Sequence, residues 1–228
     1  SVASRGLGDV YKRQGTFWFS DTPEVVASKS WGNRITRICT WAHLRERATP
    51  DRRIYIYNVH LDHESEPSRV RSAQLLLERI RSRADTRDPV IVTGDFNSGQ
   101  TSEALRTLMA SNPLSAAHAP LADAFAKIHP NEPESATFHA FKGIPMRDEG
   151  GVPMPRDPGQ RIDAILFTDL PADAAANEHS STLTPIDAVI DRTSLRGRYP
   201  SDHFPIYARF EWCTLSGDPP SSPSPFSP

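Results

Sequence analysis

Val90-Ile91-Val92-Thr93-Gly94-Asp95-Phe96-Asn97 opens with a β-branched run and stops at a glycine, a carboxylate and an amide. A run this short and this branched, closed by turn formers, reads as a buried strand, and the Gly-Asp-x-Asn after it as a tight turn at the strand end. Upstream, Val70, Ala73, Leu76, Leu77 and Ile80 recur at helical spacing with arginines on the opposite face, which predicts an amphipathic helix over 69–83. Before that helix, 35–41 and 54–59 have the aromatic and β-branched character of strands between polar turns. Strand, helix, strand implies a crossover connection. Downstream, 102–110 reads as a second helix and 162–167 and 204–210 as further strands. The stretch 143–159, rich in Pro, Gly and charge, is expected to form a long loop.

The bulk numbers bound what surrounds these elements. The chain has 228 residues, of which 37% are hydrophobic, enough for one sizeable core. A formal net charge of −2 with 24% charged residues lacks the basic balance of a dedicated nucleic-acid binder, so nucleic acid is neither demanded nor excluded. Most of the 26 basic residues are arginine, which suits bidentate phosphate recognition or simply reflects genomic base composition. Cys39 and Cys213 form no Cys-x-x-Cys and no disulfide framework, and are read as packing residues. No apolar run approaches the roughly 20 residues of a membrane-spanning helix. Residues 1–14 carry neither a signal core nor a hydrophobic period and are expected to be a leader outside the domain, which is placed at 15–212. The Pro/Ser-rich stretch 213–228 is expected to be a disordered tail. None of this indicates a compartment.

Four polar motifs fall at strand ends: Asn58-Val59-His60, Gly94 to Asn97, Arg161-Ile162-Asp163 and Ser201-Asp202-His203. Two follow their strands and two precede them. In a mixed sheet the end of one strand lies beside the start of its antiparallel neighbour, so all four can meet at one edge. The resulting cleft would hold His60, Asp95, Asn97, Asp163, Asp202 and His203: oxygen ligands for a hard cation, a carboxylate to activate water and imidazoles to meet phosphoryl oxygens. Taken singly, Gly-Asp-Phe-Asn is a common turn and Ser-Asp-His a common cap, whereas four together favour chemistry. His43, His118, His129 and His179 are read as core or solvated residues, His63 and His139 as evenly balanced, and one of Arg34 and Arg37 as able to face the cleft.

These motifs, in this order, resemble the carboxyl-terminal signatures of the endonuclease/exonuclease/phosphatase superfamily, the fold of deoxyribonuclease I. Asn58-Val59-His60-Leu61-Asp62-His63 resembles its central histidine strand, while Gly15 to Ser20, Thr137-Phe138-His139 and Gly197-Arg198-Tyr199-Pro200 look like a bacterial branch of metal-dependent hydrolases. The resemblance implies an α/β sandwich of two packed mixed sheets flanked by helices, here lacking amino-terminal strands. It implies hydrolysis of a phosphoester with Mg²⁺ or Mn²⁺ by a protein that is monomeric when complete. Asp95 would orient or deprotonate water and, with Asp202, bind metal. Asn97 would hold the phosphate, and His203 would stabilise phosphoryl charge with Asp163 fixing its ring. His60 would contact the scissile phosphate, and Asn58 would support it. The family's amino-terminal Asn and metal-binding Glu have no counterpart here, and neither Glu24 nor Glu46 sits in the expected context.

Two other readings compete. A catalytically incomplete fragment or binding module of the same fold would carry the motifs without turnover. His60-x-Asp62-His63 also resembles part of the zinc motif of metallo-β-lactamase-fold hydrolases, but Asn58 stands where that motif carries another His, and Gly94 to Asn97 would have no task. No Gly-x-Ser-x-Gly elbow supports a serine hydrolase. The substrate stays open among nucleic acid, nucleotide, sugar phosphate and phospholipid head group.

Overall fold

The computed structural model describes residues 10–110, 120–132, 136–141, 143, 161–169 and 181–214. Strands β1 (Val10–Trp18), β2 (Ile38–Arg45) and β3 (Arg53–His60) form an antiparallel meander. Helix α1 (Glu66–Arg81) then crosses over to β4 (Val90–Asp95), which pairs with β3 in parallel, as the strand-helix-strand pattern requires. After α2 (Glu103–Met109) come β5 (Leu121–Asp123), α3 (Ala124–Ile128) and β6 (Asp163–Thr168). The six strands make one mixed sheet in the order β1-β2-β3-β4-β6-β5. β7 (Ser181–Ile190) and β8 (Ile206–Thr214) form a separate antiparallel pair. Two sheets with flanking helices are the α/β sandwich the sequence implied, but among the described residues only the larger sheet is mixed.

Local chemistry explains the boundaries. α1 starts earlier than its apolar period because Ser65 accepts from the Ser68 backbone N–H and Pro67 occupies the first turn, where a missing N–H costs nothing. Asp123 caps α3 by accepting from the Phe125 and Ala126 N–H groups. The first predicted strand is displaced: Ile35 lies in the loop before β2 and is exposed, and pairing begins at Ile38. β1 extends back to Val10, opposite Arg45, so the expected leader boundary at residue 14 falls inside a strand. β8 likewise continues to Thr214, past the start of the expected tail; the rest of that tail and most of the 143–159 loop lie outside the described residues.

One face of the large sheet presents Phe17, Cys39, Tyr57, Val59 and Val92 to Ala73, Leu76 and Ile80 of α1 and Leu105 and Leu108 of α2. Each large apolar side chain, once buried, contributes roughly 1.5–3 kcal/mol. Cys39 is fully buried within this core, while Cys213 on β8 meets the Thr184 hydroxyl at 3.3 Å. The small sheet is joined to the large one at β6, where the rings of Phe167 and Phe210 lie 5.5 Å apart. Among the described residues no helix is long and apolar enough to cross a membrane.

Candidate active site at one sheet edge

Strand register brings three of the motifs together before any side chain is considered. His60 is opposite Asp95, and Asp95 is opposite Asp163, across three adjacent strands. Directly paired residues point to the same face, so the imidazole and both carboxylates emerge side by side. Gly94 makes this register possible: its φ is +144°, and a Cβ there would lie 1.9 Å from the Val59 carbonyl oxygen. Only glycine tolerates both conditions.

The turn after β4 divides the Asp95 carboxylate between two tasks. Oδ1 accepts from the Asn97 backbone N–H at 2.8 Å, with Asn97 in the left-handed region at φ 47°. Oδ2 faces His60 Nε2 at 3.4 Å and His203 Nε2 at 3.9 Å. The Gly-Asp-Phe-Asn stretch is thus a tight turn that also directs one Asp95 carboxylate oxygen toward two imidazoles. Asn97 Nδ2 donates to the Leu61 carbonyl at 3.0 Å and Leu61 N–H donates to the Asp95 carbonyl at 2.9 Å, stapling the turn to the chain leaving β3. Asn58 is paired with Thr93, two residues back from the His60–Asp95 pair, and its amide oxygen accepts from the Thr93 hydroxyl at 3.0 Å.

His203 arrives by another route. It precedes β8 of the small sheet, so the fourth motif does not share a sheet edge with the others as a single mixed sheet would require. The backbone at Thr137 to Ala140 carries it there: Phe204 N–H donates to the Thr137 carbonyl, and the His139 and Ala140 N–H groups donate to the Asp202 carbonyl. Thr137 Oγ1 in turn accepts from Ile162 and Asp163 N–H, each at 3.1 Å. One buried threonine thus ties the His203 segment to the first residue of β6. The result is a 2.7 Å hydrogen bond between His203 Nδ1 and Asp163 Oδ2. In the sequence Thr137 stands out only as part of a family-like triplet, and no periodicity or charge marks it.

The local electrostatics follow from this packing. Burial and the neighbouring Asp163 raise the Asp95 carboxyl above the ordinary range, against the Asn97 N–H. The hydrogen bond to Asp163 raises His203, whereas burial and then Arg37 lower His60. Asp95, Asp163 and His203 place one ligand atom each within 4.8 Å of one another. Two carboxylates crowded together suit a hard divalent cation in atom type and charge, and Mg²⁺ takes few protein ligands. Asp202, expected at the metal, stands outside this group; its carboxylate accepts from the Ser201 hydroxyl at 3.4 Å.

The other singled-out residues sort cleanly. His43 is buried, bonded to Asp88 at 2.7 Å and stacked on Tyr55, and His129 donates through Nε2 to the Ala188 carbonyl at 2.7 Å. His139 is fully buried against Phe204 and is a packing residue. His118 and His179 lie outside the described residues. Arg34 is exposed, while Arg37 is buried and bonds His63. Glu24 pairs with Arg79 and Glu46 with Arg52, away from the three-ligand group.

The architecture and this edge define the deoxyribonuclease I-like class of α/β sandwich. The chain belongs to the Endonuclease/Exonuclease/phosphatase family, whose sequence model matches residues 8–203. Among solved structures it is similar to an endonuclease/exonuclease/phosphatase family protein from Bacteroides thetaiotaomicron (26% identity, TM-score 0.64, 90% of this chain and 66% of that one). It is also similar to a mannosyl-6-phosphatase of the same organism (25% identity, TM-score 0.60, 89% and 67%). The D. rerio TDP2 structure with a single-strand DNA product, at 17% identity and TM-score 0.60 over 89% and 68%, shares the fold. The chain thus spans about two-thirds of the length of these relatives. No curated protein matches.

Proposed function

We propose that this chain carries the reacting edge of a divalent-metal-dependent phosphoester hydrolase. The observation that carries the reading is the Asp163–His203–Asp95 arrangement, in which one imidazole is oriented by a carboxylate at 2.7 Å and turns its other nitrogen toward a second carboxylate. His203, protonated at both ring nitrogens, commits Nδ1–H to Asp163 and donates from Nε2–H to a phosphoryl oxygen. Asp95 Oδ2 orients the attacking water and accepts its proton, while Asn97 and Asn58 position the phosphate and His60 contacts it from the neighbouring strand. Asp95 and Asp163, with Asp202 adjacent in sequence to His203, are the residues that would hold Mg²⁺ or Mn²⁺. The cation, when bound, supplies charge neutralisation of the phosphoryl oxygens.

Within that class a small phosphate monoester is favoured over a polymeric nucleic acid. The net charge of −2 supplies no general attraction to a polyanion, and a mannosyl-6-phosphatase is among the relatives at 25% identity. The test measures hydrolysis of p-nitrophenyl phosphate, bis-p-nitrophenyl phosphate and mannose 6-phosphate with Mg²⁺, with Mn²⁺ and with excess chelator. The reading expects metal-dependent turnover, faster on the monoesters. Turnover that persists unchanged in chelator removes the metal from the account, and preference for the diester removes the monoester reading.

A further inference from the structure

The chain leaving β3 carries a second imidazole beyond His60, and nothing above gives it a task. His63 Nδ1 lies 2.8 Å from an Arg37 guanidinium nitrogen. A guanidinium only donates, so His63 Nδ1 accepts and the ring proton sits on Nε2. Arg37 cannot easily turn away: its side chain is 8% exposed, packed 3.7 Å from the buried Asp62 carboxylate. Asp62 is fixed in turn, because its Oδ1 accepts from the Glu64 and Ser65 N–H groups and closes the turn that presents His63. The N–H on Nε2 is left at the surface, with a side chain 45% exposed and no hydrogen bond among the described residues. It lies 3.5 Å from Glu64 Oε1, itself a loose partner of Arg34 at 3.5 Å.

This donor stands three residues beyond His60, on the segment that leaves β3 beside the Asp95–Asn97 turn. Leu61, between the two histidines, is bonded through its N–H and its carbonyl to the Asp95–Asn97 turn. Arg37 is close enough to act electrostatically on both His60 and Asp62. The buried arginine therefore fixes which ring nitrogen carries the proton, and the turn fixes where that proton points.

We propose that His63, held in its Nε2–H form by Arg37, donates a hydrogen bond to a phosphoryl oxygen of the substrate beside the contact made by His60, with Arg37 as its positioning residue. The arriving oxygen takes the place of the loosely held Glu64 carboxylate. This inference rests on the phosphoester reading of the edge and adds a contact to it.

The probe is inorganic phosphate with Mg²⁺, titrated against the whole chain and read by calorimetry and by long-range ¹H–¹⁵N spectra of the histidine rings, with His63→Gln identifying the His63 signals. The Nε2–H pattern is expected for His63, with its Nε2 resonance shifting on phosphate addition. Loss of one hydrogen bond to a charged oxygen should weaken phosphate binding about tenfold in His63→Ala. His63→Gln should recover most of that loss, since its amide can donate from a similar place. Arg37→Met should leave the far-ultraviolet spectrum intact yet turn His63 into a mixture of tautomers, a change that packing alone does not produce. Phosphate binding unaltered in His63→Ala, or an Nδ1–H pattern in the unsubstituted chain, overturns the inference and leaves the wider reading standing. Failure of the unsubstituted chain to bind phosphate at all overturns both.

Discussion

The 2.7 Å hydrogen bond between His203 Nδ1 and Asp163 Oδ2 joins residues 40 positions apart, one at the start of a large-sheet strand and the other in the segment leading into the small sheet. Asp163 begins β6 of the large sheet, and His203 precedes β8 of the small one. A carboxylate in this position fixes the ring's orientation and tautomer. Asp163→Asn keeps the shape and removes the charge, so turnover is expected to fall about 10–100-fold with little change in thermal stability. Steady-state kinetics beside a melting curve checks this; equal loss of both would make Asp163 a fold residue only.

Thr137→Val tests the tether that brings the two segments together. The substitution is close to isosteric but leaves the Ile162 and Asp163 N–H groups without their shared acceptor. One or two unsatisfied buried donors cost about 1–3 kcal/mol each. The urea midpoint should drop accordingly, and activity should fall further than stability alone dictates because Asp163 is one of the two freed residues. A variant as stable as the parent would show that another group already serves those donors.

Gly94→Ala should be among the most damaging single changes. The added carbon would lie 1.9 Å from the Val59 carbonyl oxygen at a φ of +144°, so β3 and β4 must separate where His60 meets Asp95. Backbone strain alone accounts for about 1–3 kcal/mol before the clash is counted. Gly197→Ala provides the comparison: with φ +75° and nothing within 4 Å, it should cost only about 1–2 kcal/mol. Urea denaturation of the two variants should separate them clearly.

Acid sensitivity should pass in part through Asp62. Burial acts to raise its carboxyl, but the Ser65 and Glu64 N–H groups and Arg37 outweigh it and hold the group below the ordinary carboxylate range. The unfolded chain then binds the extra proton first, so this stabilisation is present above the unfolded value of about 3.9 and is lost as pH falls through the lower folded value. Urea midpoints of the parent and of Asp62→Asn, measured from pH 7 down to about pH 3, should therefore converge at the acid end. Parallel curves would contradict the assignment.

Much of this site was legible in the sequence because its parts lie on strongly patterned elements. The β-branched run ending in Gly94 and the apolar period of α1 point to a parallel β3–β4 pair, and that pair alone sets His60 against Asp95. β7 shows no such pattern because Pro185 and Asp187 interrupt its alternation; both stand at a register shift where the ladder is broken anyway. β5 and α3 are too short to show a period, and their anchor, the buried Asp123–Arg161 pair at 2.6 Å, is long-range. The sheet change before His203 and the tether at Thr137 depend on tertiary contacts that leave no periodic trace. Arg37 and His63 are evenly balanced in the sequence because only burial and a 2.8 Å contact distinguish them from surface residues.

The most direct test of the proposed chemistry is the rate of phosphate monoester hydrolysis with Mg²⁺ or Mn²⁺ by Asp95→Asn beside the unsubstituted chain. The substituted amide keeps an oxygen to close the turn with the Asn97 N–H while losing the charge and proton affinity that face His60 and His203. General-base contributions are typically 10²–10⁴-fold, so the account predicts a loss of about a hundredfold or more with the fold intact. A variant that hydrolyses the substrate within about twofold of the parent would contradict it, because Asp95 would then be neither the base nor a metal ligand for the reaction.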